Sequence, residues 1–119
     1  MIEGIGMDLV EISRIEKVLF RQKRLPERIL SQKERKAFEN LKAGRKAEFL
    51  AGRFAAKEAY AKARGCGIGK DLSWQDIEIA VNEAGKPKLT VEGAETKRIH
   101  VSITHTKEYA AAQVVIESL

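Results

Sequence analysis

The chain has 119 residues, 44% hydrophobic and 33% charged, a composition typical of one globular domain covering residues 1–119. It lacks an apolar run long enough for a membrane span and a basic, then apolar, N-terminal signal peptide. The single cysteine, Cys66, excludes an internal disulfide, and with only two histidines a structural zinc site is not expected. These features predict a cytoplasmic protein.

The positive charge is concentrated in one third of the chain. Net charge is +5, but residues 14–46 hold 12 of the 22 Lys and Arg and only 4 of the 17 acidic residues. The local balance is therefore +8, and the remaining residues sum to −3. This third is expected to meet an anionic partner such as nucleic acid, a phosphorylated ligand or an acidic protein.

The N-terminal half predicts one strand followed by helices. Residues 2–10 form a mostly apolar run with glycines, which predicts a buried strand that another part of the chain approaches closely. Helical spacing begins at Ile12, and Pro26 is expected to interrupt that helix. The capping-box pattern Ser31-Gln32-Lys33-Glu34 predicts another short helix.

A long helix and several strands are predicted for the remainder. The helix runs from about Arg45 to Arg64, with Gly65 as its stop. Strands are predicted at residues 77–81, 89–91, 99–103 and 109–116. The last of these is nearly all apolar, which predicts cover on both faces. The order indicates an α+β fold, with a long helix packed on a small antiparallel sheet.

A carboxylate interrupts the apolar stripe of the long helix. At about 100° per residue, Glu58 falls between Phe54 and Ala51, and Lys57 borders the stripe. Asp8 lies in an apolar strand with no local charge to neutralise it. Two carboxylates in a partly buried place repel each other, and a divalent cation such as Mg²⁺ would relieve that repulsion.

Ordinary pairing explains the same carboxylates without a metal. Asp8 would cap the helix that follows it, and Glu58 would pair with Lys62 at i, i+4. The spacing does not decide between a metal site and these local pairs.

The strand that ends at His105 carries hydroxyl groups beside the histidine. Ser102, Thr104 and Thr106 with His105 offer several hydrogen-bond donors to a phosphate. The alternative is an ordinary strand that turns into a hairpin through residues 107–108.

Five bases recur at intervals of three and four residues: Arg14, Lys17, Arg21, Arg24 and Arg28. On one persistent helix they would line one side. A solvated face is the usual explanation, but few acidic residues lie among them. An acidic helix of a partner protein would complement this stripe. An RNA- or DNA-binding module is the alternative, although only Phe20 and Phe38 could stack on bases there.

Four segments together resemble the holo-acyl-carrier-protein synthases, the small bacterial branch of the 4′-phosphopantetheinyl transferases. They are Gly4–Asp8, Phe54–Lys62, Gly85–Pro87 and Ser102–Thr106, and the similarity covers the whole chain. The resemblance implies a compact α+β fold that forms a homotrimer with active sites between subunits, and it implies no nucleic-acid or membrane partner.

The resemblance also implies a reaction. The 4′-phosphopantetheine group of coenzyme A is transferred to a serine of an apo-acyl carrier protein, releasing adenosine 3′,5′-bisphosphate, for fatty acid biosynthesis. By position, Asp8 and Glu58 match the Mg²⁺ ligands. Together with Lys62, which matches a lysine at the diphosphate, they form the implied catalytic set, with Glu58 as the candidate base.

The remaining matches concern the two substrates. Coenzyme A contacts are matched by Lys62, Arg45, Arg53, Gly65, His105 and Thr106. Among these, Arg45 and Arg53 are expected to hold the 3′-phosphate. The helix that docks the acidic carrier is matched by Arg14, Arg21, Arg24 and Arg28.

Overall fold

Five strands and four helices make up the computed structural model, which describes residues 1–119. The strands are β1 (Ile2–Glu11), β2 (Ile77–Val81), β3 (Pro87–Val91), β4 (Lys97–His105) and β5 (Tyr109–Ser118). The helices are α1 (Ile12–Arg21), α2 (Leu25–Ile29), α3 (Gln32–Glu39) and α4 (Ala43–Arg64), with a 3₁₀ turn at Trp74–Asp76. The α+β order predicted from the sequence is confirmed. None of the helices combines the length and apolar character needed to span a membrane.

The strands form two antiparallel sheets. In the larger sheet the order is β1-β5-β4, and the smaller sheet pairs β2 with β3. The central strand β5 buries Ala110, Ala112, Val114 and Ile116 on the face toward α4. Its opposite face is not covered within the chain, because Gln113 is exposed there. The expectation that β5 is covered on both faces is therefore wrong for the single chain.

Two glycines allow β1 to lie directly against α4. A Cβ atom built at Gly6 would overlap the backbone oxygen of Ala59, and one built at Gly4 would overlap that of Ala63. Side chains on this side of the helix are also small, as at Ala55. Helix and strand are thus in backbone contact, and this contact fixes which residues of β1 face which residues of α4.

The predicted helix ends are mostly confirmed. The Ser31 Oγ accepts from the Glu34 N–H at 3.2 Å, and the Glu34 Oε1 accepts from the Ser31 N–H at 2.8 Å, which completes the capping box. Gly65 ends α4 with φ 86°, in the left-handed region that glycine adopts without steric cost.

Pro26 does not interrupt the first helix. That helix ends at Arg21, and Pro26 lies in the first turn of α2, where its missing N–H costs nothing. The basic residues from 14 to 28 consequently lie on two helices and the turn between them.

Candidate active site

Asp8 and Lys62 meet where β1 crosses α4. The Lys62 Nζ donates to the Asp8 Oδ1 at 3.1 Å and to the Met7 carbonyl at 3.0 Å. The Asp8 side chain is only 15% exposed, and its Oδ2 is buried with no hydrogen-bond partner. One oxygen of this carboxylate is therefore satisfied, while the other still needs a donor or a cation.

Glu58 faces the same region without a partner of its own. It forms no salt bridge within the chain; the expected local pair with Lys62 is replaced by the Lys62–Asp8 pair. Burial raises the pKa of the Glu58 carboxyl, and the charge of Asp8 raises that pKa further, with Lys62 opposing both. The two carboxylates are thus close enough to repel each other.

This donor set fits one hard divalent cation. It offers two carboxylates, one with an orphaned buried oxygen, and mutual repulsion that a cation would relieve. No group of three or more His, Cys, Asp or Glu residues that could hold a metal occurs in the chain. Mg²⁺ commonly accepts one or two protein carboxylates and completes its octahedron with water and phosphate oxygens.

The fully buried charged residue of α4 is Lys57, whereas the sequence placed Glu58 within the apolar stripe. Glu58 is only partly buried, whereas Lys57, predicted to border the apolar stripe, is fully buried. Its Nζ donates to the Glu34 Oε1 at 2.6 Å and to two backbone carbonyls, of Ile29 and Trp74. The helical wheel could not show this partner, because Glu34 lies 23 residues away.

A second cluster lies near the N-terminal half of α4. Arg45, Glu48, Arg53 and His105 line a cavity of about 210 Å³. The His105 Nε2 lies 3.2 Å from the Glu48 Oε1. Two arginines and a histidine supply hydrogen-bond donors suited to an anion in this cavity, and the Glu48 carboxylate opposes them with one negative charge.

Two other predicted coenzyme contacts lie outside that cavity. The Thr106 Oγ1 accepts from the N–H groups of Glu108 and Tyr109 at 3.2 and 3.0 Å, so this hydroxyl stabilises the β4–β5 turn, as the hairpin alternative expected. Gly65 is exposed at the end of α4, one turn beyond Lys62. Neither residue lines the cavity with Arg53.

The basic residues expected to dock the carrier form an exposed surface across α1 and α2. Arg14, Arg21, Arg24 and Arg28 are all exposed, and only Arg24 is paired, to Glu27 at 2.9 Å. Phe20, which the sequence offered only as a possible base-stacking residue, also lies on this surface and is 76% exposed. Residues three apart on a helix lie on the same face, so the position of Phe20 three residues after Lys17 indicated that it shares the basic face.

An apolar cleft joins the carboxylate site to the basic surface. Its volume is about 470 Å³, and both Asp8 and Arg14 line it. Apolar side chains complete the lining, including Ile15, Phe54 and Tyr109. The sequence did not indicate this cleft, because its walls come from β1, α1, α2, α4 and β5.

Within one chain the predicted site residues therefore form separate groups. Asp8, Glu58 and Lys62 lie together, and Arg45, Arg53 and His105 line a different cavity. The cleft lined by Asp8 contains none of that second group.

Comparison with known proteins identifies relatives along the whole chain. Residues 4–114 match the family model of the 4′-phosphopantetheinyl transferase superfamily. The holo-[acyl-carrier-protein] synthase of Bacillus pumilus (strain SAFR-032) is 61% identical over 119 residues, covering 100% of this chain and 98% of the relative. That of Bacillus subtilis (strain 168) is 57% identical, with the same coverage.

Solved structures agree with these relatives. A holo-(acyl-carrier-protein) synthase from Bacillus anthracis, in complex with CoA (3′,5′-ADP), superimposes with a TM-score of 0.92 at 51% identity, covering 100% of this chain and 99% of that one. The Helicobacter pylori holo-[acyl-carrier-protein] synthase in complex with coenzyme A gives a TM-score of 0.84 at 37% identity, covering 95% and 99%.

Proposed function

Because the chain belongs to the 4′-phosphopantetheinyl transferase superfamily, among the holo-[acyl-carrier-protein] synthases, we propose how its own residues divide the work of that reaction. The protein transfers the 4′-phosphopantetheine group of coenzyme A to a serine of apo-acyl carrier protein, for fatty acid biosynthesis. Adenosine 3′,5′-bisphosphate is the leaving group. The substrate is a diphosphate ester, so catalysis depends mainly on positioning and on charge neutralisation.

Asp8 and Glu58 would hold Mg²⁺. The observation that carries this assignment is the orphaned buried Oδ2 of Asp8 beside Glu58, whose pKa is raised by burial and by Asp8. When bound, the ion would neutralise the diphosphate and the charge that develops on it.

Lys62 and Glu58 are proposed to act on the two sides of the transfer, Lys62 at the leaving phosphate and Glu58 at the attacking serine. Lys62 is half exposed, so its ammonium is available to stabilise the leaving phosphate or to protonate it. Glu58 is the proposed acceptor of the serine proton, because its carboxylate forms no salt bridge within the chain and lies near Asp8.

The cavity lined by Arg45, Arg53 and His105 is proposed to bind the coenzyme A phosphates. A homotrimer would unite this cavity on one subunit with the carboxylates of its neighbour, because the two groups do not share a cavity within one chain. The outer face of β1 supports such an assembly: Ile5, Met7 and Leu9 are 62%, 61% and 67% exposed, an apolar row of the kind that interfaces cover.

The surface formed by Arg14, Arg21, Arg24 and Arg28 is proposed to dock the acidic carrier protein in the cytoplasm. The apolar cleft that includes both Arg14 and Asp8 links this dock to the reacting centre. The nucleic-acid alternative has little support, because Phe38 is buried and leaves Phe20 as the sole exposed aromatic of this region.

Mass spectrometry tests the proposed reaction. An apo-acyl carrier protein is incubated with this protein, coenzyme A and Mg²⁺, with parallel reactions that contain EDTA or a carrier whose modified serine is changed to alanine. We expect the carrier to gain the mass of one phosphopantetheine arm only in the complete reaction. An unmodified carrier would overturn the assignment of activity, and full modification in EDTA would overturn the metal requirement.

A further inference from the structure

Glu34 is a buried carboxylate shared by two cations of α4. Its Oε1 accepts from the Lys57 Nζ at 2.6 Å and from the Ser31 N–H at 2.8 Å. Its Oε2 accepts from the Ile79 N–H at 2.9 Å and lies 3.6 Å from the Arg53 Nε. Arg53 therefore has the longest contact with this carboxylate.

Arg53 is held in place but not saturated. Its guanidinium stacks on the Phe49 ring, 4.2 Å from the ring centroid, and its side chain is mostly buried. The Arg53 Nε is buried and lies 3.6 Å from the Glu34 Oε2 without a hydrogen bond to it, while the same side chain lines the cavity proposed to bind the coenzyme A phosphates. Such a guanidinium retains its donors for an incoming anion.

Lys57 explains why Arg53 is left unsaturated. Three donors are available on an ammonium group, and Lys57 gives them to Glu34, Ile29 and Trp74. The short bond to Lys57 and the two backbone donors draw the carboxylate away from Arg53. The three side chains Arg53, Glu34 and Lys57 together carry a net charge of +1, and the surplus charge is the one that lines the cavity.

We propose that Lys57 is a positioning residue for the phosphate-binding arginine: by neutralising Glu34, it keeps the guanidinium of Arg53 free for the 3′-phosphate of coenzyme A. This inference rests on the proposed function. Lys57 touches no substrate in this scheme. It acts through Glu34, so its effect must disappear when Glu34 loses its charge.

The experiment compares Lys57→Met with the double variant Lys57→Met/Glu34→Gln. In the single variant, Glu34 is left to pair with Arg53. The KM for coenzyme A should rise roughly tenfold, the effect of losing one charge-assisted hydrogen bond, with kcat and the KM for the carrier unchanged. The double variant restores the net charge of +1 and removes the competing carboxylate, so its KM should return to within about twofold of the wild type.

Two controls separate positioning from stability. Dephospho-coenzyme A lacks the 3′-phosphate, so its KM should be the same for the wild type and both variants. Lys36→Met removes an exposed positive charge of α3 and should change none of these constants. An equal KM for coenzyme A in the single variant and the wild type, or a double variant no better than the single one, would overturn the inference.

Two further outcomes are treated separately: a Lys57→Met variant that does not fold, and a wild type that is inactive. Where Lys57→Met fails to fold, the wild type is examined by nitrogen-15 NMR of its arginine Nε–H groups with adenosine 3′,5′-bisphosphate as the probe. Because the Arg53 Nε is buried, the readout is its chemical shift: the Arg53 signal should move when adenosine 3′,5′-bisphosphate binds and stay unchanged with adenosine 5′-monophosphate, which lacks the 3′-phosphate. An Arg53 signal that responds equally to both nucleotides, or to neither, contradicts the proposal. A wild type that modifies no carrier overturns the proposed function, whereas an active wild type with indifferent variants overturns only this inference.

Discussion

The Lys62 ammonium lies 3.1 Å from the Asp8 Oδ1 and so joins residues 54 positions apart. The second oxygen of Asp8 is buried and unpartnered, and the Asp8 charge adds to burial in raising the pKa of Glu58. The lysine therefore neutralises one oxygen of the carboxylate and leaves the other available for the proposed metal ion.

Asp8→Asn tests this relationship. The amide keeps the shape of the side chain but removes its charge, so Mg²⁺-dependent transfer should fall by about a hundredfold or more, since charge stabilisation by a metal is worth several kcal/mol. Isothermal titration with Mg²⁺ and the carrier-modification assay measure the two effects. The control is Asp71→Asn, at an exposed carboxylate outside the site. Normal turnover by Asp8→Asn would exclude the metal role.

The pH dependence of stability tests the environment of Glu58. Its pKa in the folded protein lies above the ordinary value of 4.5 because of burial and then Asp8. Folding therefore favours the protonated carboxyl, and this stabilisation is present below the unfolded pKa and is lost as the pH rises through the folded pKa. The Gln side chain of Glu58→Gln stays neutral at every pH. Without metal, this variant should therefore have a higher melting temperature than the wild type at about pH 7, and the same melting temperature as the wild type at about pH 4.

Adding Mg²⁺ should reverse that order at neutral pH. A ligand that binds only the native state raises the melting temperature, and the wild type alone retains both carboxylates. The exposed carboxylate Glu39 supplies the control variant Glu39→Gln, which should follow the wild type at every pH. Equal melting temperatures of Glu58→Gln and wild type across the pH range would show that Glu58 is not in a raised-pKa environment.

The sequence predicts the parts of the fold that depend on local patterns. Capping chemistry fixed the start of α3 at Ser31 and the end of α4 at Gly65, because both are decided by residues within one turn. Alternation of apolar side chains similarly located the strands. The proximity of Asp8 and Glu58 was also expected, because a carboxylate in an apolar segment is visible without coordinates; a metal ion between them stays a prediction.

Long-range partners were beyond such patterns. Nothing near Lys57 in the sequence indicates that Glu34 neutralises it, and nothing near Asp8 indicates that Lys62 pairs with it rather than with Glu58. The helix that begins at Ile12 was predicted, but its end was placed at Pro26 and the separate helix α2 was missed, for another reason. Periodicity continues through residues 22–24 although the helix does not.

Substitution at Gly6 should show how closely β1 and α4 approach. A methyl group there would overlap the Ala59 backbone oxygen, so Gly6→Ala should lower the free energy of unfolding by about 2 kcal/mol or more. The matched control is Gly44→Ala in the first turn of α4, where a Cβ meets nothing within 4 Å; it should be neutral or slightly stabilising. Chemical denaturation measures both. A Gly6→Ala variant as stable as Gly44→Ala would contradict the backbone contact.

Charge reversal on α1 tests the carrier dock. Arg21→Glu places a negative charge on the surface proposed to meet an acidic protein, so the KM for the carrier should rise by about tenfold or more, while the KM for coenzyme A stays unchanged. The effect should shrink at high salt because exposed charges are screened. Lys88→Glu, on the exposed side of β3, makes the same change in net charge and should leave both constants unaltered. Equal weakening of both substrates would argue against separate subsites.

A substitution on the outer face of β1 tests the proposed trimer. Ile5 lies opposite Val115 of β5 and is 62% exposed, so Ile5→Lys should leave the fold of one chain intact while placing a charge in an apolar interface. Burying an unpaired charge is costly, and analytical ultracentrifugation should show a shift from trimer to monomer. Because the carboxylates and the Arg53 cavity are then separated, transfer activity should fall with the trimer fraction. Thr90→Lys, at an exposed position of β3, should change neither. A monomeric wild type with full activity would mean that one chain forms a complete site.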